Sequence, residues 1–260
     1  MIVFDILTIF PDFFSSVLEH GMVKRALTEG QAAAKIHNLR DYTHDRHRTV
    51  DDRPFGGGPG MILKPEPIFA AVEKLKQDVS EQNFPVILLS ATGRLFDQKY
   101  AARLSGEKRV VLICGRYEGV DERVARHLAT DELSVGNFVL SGGELAACVV
   151  LDAVVRLLPG VLGNEESAQT ESFTPETGSG EEGAVGMLEF PQYTRPVEFR
   201  DWRVPPVLIS GNHEEIRKWR RRKALEKTLE ARPDLLDGVG LDPPEEALLS
   251  DLKRRGRKLA

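Results

Sequence analysis

Residues 110–145 read VVLICGRYEGVDERVARHLATDELSVGNFVLSGGEL, and apolar runs in this stretch end in glycine three times: at Gly115 and Gly119, at Gly136, and at Gly142 and Gly143. A glycine at the end of a buried strand lets a ligand lie against bare backbone, because no Cβ intrudes and positive φ costs nothing. Three such ends so close together imply one pocket walled by main chain. Ordinary strand-to-helix turns also carry glycine. The polar set between these glycines, Arg116, Tyr117, Glu118, Asp121, Glu122 and Arg123, is more than a turn requires.

The flanking sequence alternates between two periods. Pro85–Leu89 and Arg109–Ile113 are short apolar strands, while Asp97–Leu104 and Asp121–Leu128 fit helices. Strands separated by helices at this rhythm predict an α/β fold, a parallel sheet with helices on both faces. In such sheets ligands bind beyond the carboxyl ends of the strands. Those ends are expected at Ser90-Ala91-Thr92-Gly93, Gly115-Arg116 and Ser134-Val135-Gly136. Glu144–Leu158 is apolar on nearly every side and predicts a buried helix. Only Asp152 and Arg156 break it, four apart on one face. Either they pair with each other, or Asp152 steadies Arg156 while the remaining guanidinium donors face a substrate oxygen.

Toward the N-terminus, Ile2–Ile9 predicts a buried strand. Pro11 suits the first turn of a helix that should stop at Gly21, a second short helix should end near Gly30, and Ala33–Leu39 predicts another strand. Then DYTHDRHRTVDDRPFGGGPGM, residues 41–61, is too polar and glycine-rich for regular structure, and loops of this length are usually functional or disordered. Gly56, Gly58 and Gly60 match G-x-G-x-G formally, but Asp51-Asp52-Arg53-Pro54 precedes them where a dinucleotide fingerprint needs a hydrophobic strand. No G-x-x-x-x-G-K-[ST] occurs. His44 and His47 sit among Asp45, Arg46 and Arg48, a solvated setting that does not suggest a metal site. Two readings of the loop are open: Arg46, Arg48 and Arg53 meet phosphate while Asp51 and Asp52 bond a base edge or amide, or the loop satisfies its own polar groups.

At 260 residues, 41% hydrophobic and 29% charged, the chain can bury one large core or two unequal ones. No run approaches the roughly 20 apolar residues that span a bilayer, and MIVFDILTIFPDFF lacks a basic leader, so a cytoplasmic location is expected. Two cysteines, Cys114 and Cys148, lie in apolar segments, which argues against a disulfide framework or a cysteine zinc site. The net charge of −5 looks unfavourable for binding nucleic acid, but the charge is uneven. Residues 164–189 hold seven glutamates and no basic residue; residues 191–223 hold nine Lys/Arg against four Asp/Glu. An average hides a basic face of this kind. Asn212 with Glu215 resembles a capping box, after which residues 217–223 set six cations around Trp219. A solvated helix face would look similar, but the apolar phase fails across the run, which favours a phosphate-tracking surface. Asp242-Pro243-Pro244-Glu245-Glu246 should cap a last helix with a basic tail.

THDRHRTVDDRPFGGGPGM, RYEGVDER, VGNFVLSGGELAA, RLLPGVLG and PPVLISGNHEEIRKWR, in this order within about residues 1–235, together resemble the bacterial tRNA (guanine-N1)-methyltransferases. The resemblance implies an S-adenosylmethionine-dependent enzyme that methylates guanosine 37 beside the anticodon of tRNA. It implies the knotted class of methyltransferases, with a deep trefoil near Tyr117–Leu145 that pattern reasoning would never propose, since knots are nearly absent among folds. It further implies a homodimer with the active site at the interface, and three segments: a knotted catalytic domain (1–163), a flexible acidic linker (164–190) and a small C-terminal helical tRNA-binding domain (191–260).

Carried onto this chain, the cofactor would be lined by Leu88, Leu89, Ser90, Gly115, Glu118, Ser134, Val135, Gly136, Asn137, Phe138, Val139, Leu140, Gly142 and Gly143. The substrate would meet Asp51, Arg53, Arg116, Ser167 and Arg220. The resemblance also implies a dependence on magnesium, for which the sequence offers no coordinating cluster. Guanine N1 is a poor nucleophile until its proton leaves, and charge then develops on O6. A carboxylate at N1 and a cationic donor at O6 are therefore the minimal pair. Arg156 matches the family's donor. The family's base is an aspartate in a D-S-F context, and Glu171-Ser172-Phe173 stands there instead, so Glu171 would act as base with one extra methylene to accommodate. A knotted methyltransferase acting on a ribose 2′-hydroxyl or another base, and a non-catalytic RNA-binding relative, are the alternatives.

Overall fold

A computed structural model describes residues 1–78, 83–163, 171–173 and 186–256, and the chain divides into two compact units, Met1–Gly163 and Asn164–Ala260.

The first unit is built on five strands, β1 (Ile2–Thr8), β2 (Ala32–Asn38), β5 (Val86–Leu95), β6 (Arg109–Cys114) and β7 (Asp131–Ser134), in the order β2-β1-β6-β5-β7. Every neighbour pair is parallel. Side chains alternate across a strand, so each apolar run feeds two cores. Val110, Leu112 and Cys114 of β6 pack with Phe4, Ile6, Ile87 and Leu89 on one face; Val111 and Ile113 pack with Leu7, Val86 and Leu88 on the other. This is why the strands are apolar without interruption, and truncating one such residue, Leu112→Ala, would cost about 2–5 kcal/mol. Helices α1 (Ser15–Leu18), α2 (Gly21–Thr28), α4 (Gln98–Ser105) and α6 (Glu144–Val155) cover the first face. Helices α3 (Pro65–Gln77) and α5 (Glu122–His127) cover the second. Asp97 and Asp121 cap α4 and α5 by accepting from the backbone N–H of Tyr100 and Arg123.

Several expectations are corrected. The helix from Pro11 does not run to Gly21: a 3-10 turn over Pro11–Phe14 leads into the short α1, and Gly21, at φ 63°, opens α2 instead. β5 does not end at Ser90; it runs to Leu95, slipping register against β7 between Leu89 and Arg94. Gly93 permits this, because a Cβ there would lie 2.5 Å from the backbone nitrogen of Leu133. The glycine-rich loop is not wholly irregular, since β3 (Asp51–Asp52) pairs antiparallel with β4 (Ile62–Leu63). Helix α6 is not buried on all sides: Leu145 and Val149 are about half exposed. Asp5, inside the first strand, is fully buried, paired with the Arg109 guanidinium and hydrogen-bonded to His37, whose second ring nitrogen meets the Tyr42 hydroxyl at 3.0 Å.

The second unit contains a two-strand hairpin, β8 (Glu198–Phe199) with β9 (Trp202–Arg203), then α7 (His213–Ala231) and α8 (Pro243–Gly256). Its core gathers Met187, Phe190, Ala224, Leu225 and Leu236. Met187 and Phe190, placed in the linker by the sequence, are thus core residues: they are apolar, and Leu188 donates its N–H to the buried Thr228 hydroxyl. Asp242 and Glu245 form a reciprocal capping box on α8. Among the described residues no helix is long and apolar enough to cross a membrane.

Candidate active site

The carboxyl ends of β5, β6 and β7 enclose a cavity of about 330 Å³, within the range of small-molecule sites. Of the residues expected around a cofactor, all but Asn137 line it; Asn137 is exposed nearby. Thr92 and Tyr117, which the sequence placed at a strand end and in the polar set between the glycines but not among the cofactor residues, also contribute to the wall, as does Glu132, which sequence reasoning missed. Thr92 joins Ser90 at 2.7 Å and Glu132 at 3.3 Å, a polar edge created by the slip in β5. Tyr117 stands at φ 60°, a left-handed conformation unfavourable for a side chain, which is tolerated where surrounding structure imposes it.

Two loops close the pocket by backbone approach. The Gly143 N–H donates to the Gly115 carbonyl at 2.8 Å, and Arg116 and Gly142 form an antiparallel bridge. A Cβ on Gly143 would stand 2.7 Å from Cys114 Cα and 3.1 Å from Gly115 N, so only glycine fits between the end of β6 and the start of α6. The Ser134 hydroxyl donates to the Gly136 carbonyl at 2.9 Å, curling the next loop so that Phe138 and Val139 stand outward.

Arg116, expected to meet substrate, is turned inward. Its Nε donates to Glu144 at 2.8 Å, its Nη1 to the Ser141 carbonyl at 3.2 Å, and its guanidinium lies over the Phe10 ring. Glu144, only 1% exposed, accepts the Thr8 hydroxyl on its other oxygen at 2.7 Å. The pair thus pins the 141–143 loop to β1 and β6. No motif pointed to Glu144, because its partners lie 28 and 136 positions away. Burial, with Glu144 nearby, pushes the Cys114 thiol well above its usual range and holds Cys148 up at about 11, so neither serves as a thiolate nucleophile.

The glycine-rich loop meets the pocket rim at Glu118, whose N–H donates to the Met61 carbonyl at 3.0 Å. Asp51 is half-buried in β3 and Arg53 is exposed beside it. Earlier in the loop the polar groups satisfy one another: Arg48 bonds Asp41 and the Arg40 carbonyl, and Asp45 accepts from the N–H and hydroxyl of Thr49, whose hydroxyl bond holds its carboxyl below the ordinary range. Arg48 therefore serves the loop's own fold, and among the described residues no cluster of His, Cys, Asp or Glu could hold a metal ion.

Arg156 is the half-buried C-cap residue of α6, in the first unit. Glu171 belongs to the second, in a short segment held where Phe173 N–H meets the Met187 carbonyl and Ser172 Oγ accepts from Glu189 N–H. Ser167 lies outside the described residues, as does most of the linker. On α7, Lys218, Arg221, Arg222 and Lys223 are each salt-bridged to glutamates. Arg217 and Arg220 are exposed without such a bridge among the described residues, Arg220 resting on the Phe190 ring. The basic run is therefore narrower as a phosphate surface than its six cations suggest.

A parallel α/β sheet whose strand ends and glycine loops form one backbone-walled pocket defines an α/β domain with a ligand site at its strand ends. The sequence model of the tRNA (guanine-1)-methyltransferase TrmD family matches residues 2–238, and the chain belongs to that family. A Koribacter versatilis protein named tRNA (guanine-N(1)-)-methyltransferase is 54% identical over 257 residues, 96% of this chain and 97% of its own. Proteins of the same name from Dictyoglomus turgidum and Dehalococcoides mccartyi are 50% identical over 258 residues, covering 99% of each chain, and 49% identical over 248, covering 95% and 96%.

Proposed function

We propose that this chain is a cytoplasmic transferase that methylates N1 of guanosine 37 in tRNA, using S-adenosylmethionine held in the backbone-walled pocket. The observation that carries the reading is that pocket, at the strand ends of a chain belonging to the family. Its fit to the cofactor rests on the cradle at Gly143, which a Cβ would fill, on the volume, and on Ser90 and Thr92 at one edge. When bound, the cofactor supplies an electrophilic methyl on a sulfonium. Glycine backbone of the 115–119 and 134–143 loops would read its adenine edge without intruding side chains. The close passage of these two loops is what a trefoil knot would produce, and the reading includes one.

On the substrate side, Glu171 would take the proton from N1 and Arg156 would donate to O6 as charge gathers there, leaving the N1 pair free to accept the methyl that the sulfonium gives up as its C–S electron pair returns to sulfur, with a neutral thioether left behind. Asp51 and Arg53 meet the bases and backbone beside the target, and Arg217 and Arg220 meet phosphates. The outward apolar stripe of α6, Leu145 and Val149, is the surface on which a second copy packs. A positioned base contributes about 10²–10⁴-fold. Glu171→Gln is therefore expected to lower single-turnover methyl transfer by about 100-fold or more while cofactor affinity holds; near-normal turnover at neutral pH would remove Glu171 as the base. Failure of the wild-type protein to methylate any tRNA transcript would refute the reading itself.

A further inference from the structure

Among the described residues, the hairpin of β8 and β9 contributes to no core of the second unit. Phe199 and Trp202, directly cross-strand, are 57% and 65% exposed, their rings 6.1 Å apart and tilted by 43°. The guanidinium of Arg200 lies over both, 5.3 Å from the Phe199 ring and 5.7 Å from the Trp202 ring. Arg200 opens the two-residue loop at φ 58°, a position where glycine or asparagine is the ordinary choice. Arg203 is neutralised by Glu198 at 2.8 Å, whereas Arg200 has no ion pair among the described residues.

Two exposed rings with a cation over both match the chemistry of an unpaired nucleobase: any base offers a π face to an aromatic, and a guanidinium stacks or reaches the adjoining phosphate. A second copy of the chain could also cover the rings, but interface centres are depleted of charge and here the charge sits on the rings themselves. Asp201, the other loop residue, keeps the local balance near neutral. The attraction is thus one stack with one phosphate contact rather than a broad electrostatic patch.

We propose that this hairpin is an RNA-stacking element, in which Trp202 and Phe199 take an unpaired base of the tRNA substrate and Arg200 holds the phosphate beside it. The inference rests on the tRNA-methylating reading above.

The test uses the full chain, with tRNA affinity by filter binding, S-adenosylmethionine affinity by calorimetry and oligomeric state by light scattering. Trp202→Ala is expected to weaken tRNA binding about tenfold, the size of one lost base stack, with cofactor affinity and oligomeric state unchanged. Trp202→Phe, which keeps a ring, should recover most of the loss. Arg200→Gln should reduce the salt dependence of binding by about one phosphate contact. Unchanged tRNA affinity in Trp202→Ala, equal losses in Trp202→Ala and Trp202→Phe, or a change of oligomeric state would each overturn the proposal. A wild-type protein that does not bind tRNA at all would defeat the methyltransferase reading first, so the two failures are distinguishable.

Discussion

Glu144→Ala would remove a buried charge that two separated segments depend on. The carboxylate is 1% exposed and receives Arg116 Nε at 2.8 Å and the Thr8 hydroxyl at 2.7 Å. At that separation an effective dielectric of about 20 gives an attraction of roughly 6 kcal/mol before desolvation is counted. Removing one partner of a buried pair costs about 3–5 kcal/mol, chiefly because the other is left uncompensated. The Arg116 side chain retains 17% exposure and can partly rehydrate, so the lower end, about 3 kcal/mol, is expected. For a unit of this size that is a fall in Tm of about 6–12 °C. The release of Arg116 also frees the Ser141 carbonyl it holds, and a loss of about 1.4 kcal/mol in ordering the 141–143 loop would weaken S-adenosylmethionine roughly tenfold. Glu144→Gln keeps one oxygen as a neutral acceptor for Arg116 while its amide NH2 can donate to the Thr8 hydroxyl, and should cost only about 1–2 kcal/mol. Calorimetric unfolding and isothermal titration of the three proteins read both effects. A Glu144→Ala protein melting within about 2 °C of wild type, with unchanged cofactor affinity, would refute the reasoning that this pair holds the pocket.

Gly143→Ala drives a Cβ to within 2.7 Å of Cys114 Cα, an overlap that should cost about 1–3 kcal/mol and weaken the cofactor at least tenfold, whereas Gly106→Ala, whose Cβ meets only the Arg103 carbonyl at 3.5 Å, should leave both stability and affinity near wild type in the same titration. Val149→Asp puts a charge on the proposed dimer face of α6, and light scattering is expected to report dimer for the unaltered chain and monomer for the variant; a variant dimer of undiminished stability would place the interface elsewhere. The Cys148 thiol, held up at about 11 by burial first and Glu144 second, binds its proton more tightly folded than unfolded. Its stabilising contribution is whole below the ordinary thiol value of 9.0 and declines as pH rises toward 11. Alkylation by iodoacetamide should accordingly be slow at pH 8 and accelerate toward pH 11, and rapid modification at pH 8 would contradict the assignment.

The parallel sheet was legible because its strands are apolar on both faces: the alternation in Val110–Cys114 feeds two cores, and only a sheet covered on both sides uses such a run. The glycines at 115, 136, 142 and 143 marked the pocket for the same reason, since close backbone approach leaves a trace in residue type. Contacts between distant segments leave none. Glu144 reads as an ordinary first-turn acid until Thr8 is placed against it, and Arg116 reads as a substrate contact until the loop at Ser141 folds under it. The slip in β5 was hidden because Ser90-Ala91-Thr92-Gly93 has the composition of a turn, while the strand continues through it by letting Gly93 touch Leu133. On α7 the cations were visible but not their partners, because Glu226 and Glu245 lie on the following turn and the next helix. The identity of the base rested on resemblance alone, as Glu171 is one of seven glutamates in its segment.

Locating the transferred methyl group decides whether N1 of guanosine 37 is the target. Wild-type protein, labelled S-adenosylmethionine and two tRNA transcripts differing only in having guanosine or adenosine at position 37 are incubated, digested and resolved by nucleoside. Label recovered as N1-methylguanosine at position 37 of the first transcript, and absent from the second, is the predicted result. Label at another position, on a ribose, or equal in both transcripts would contradict it.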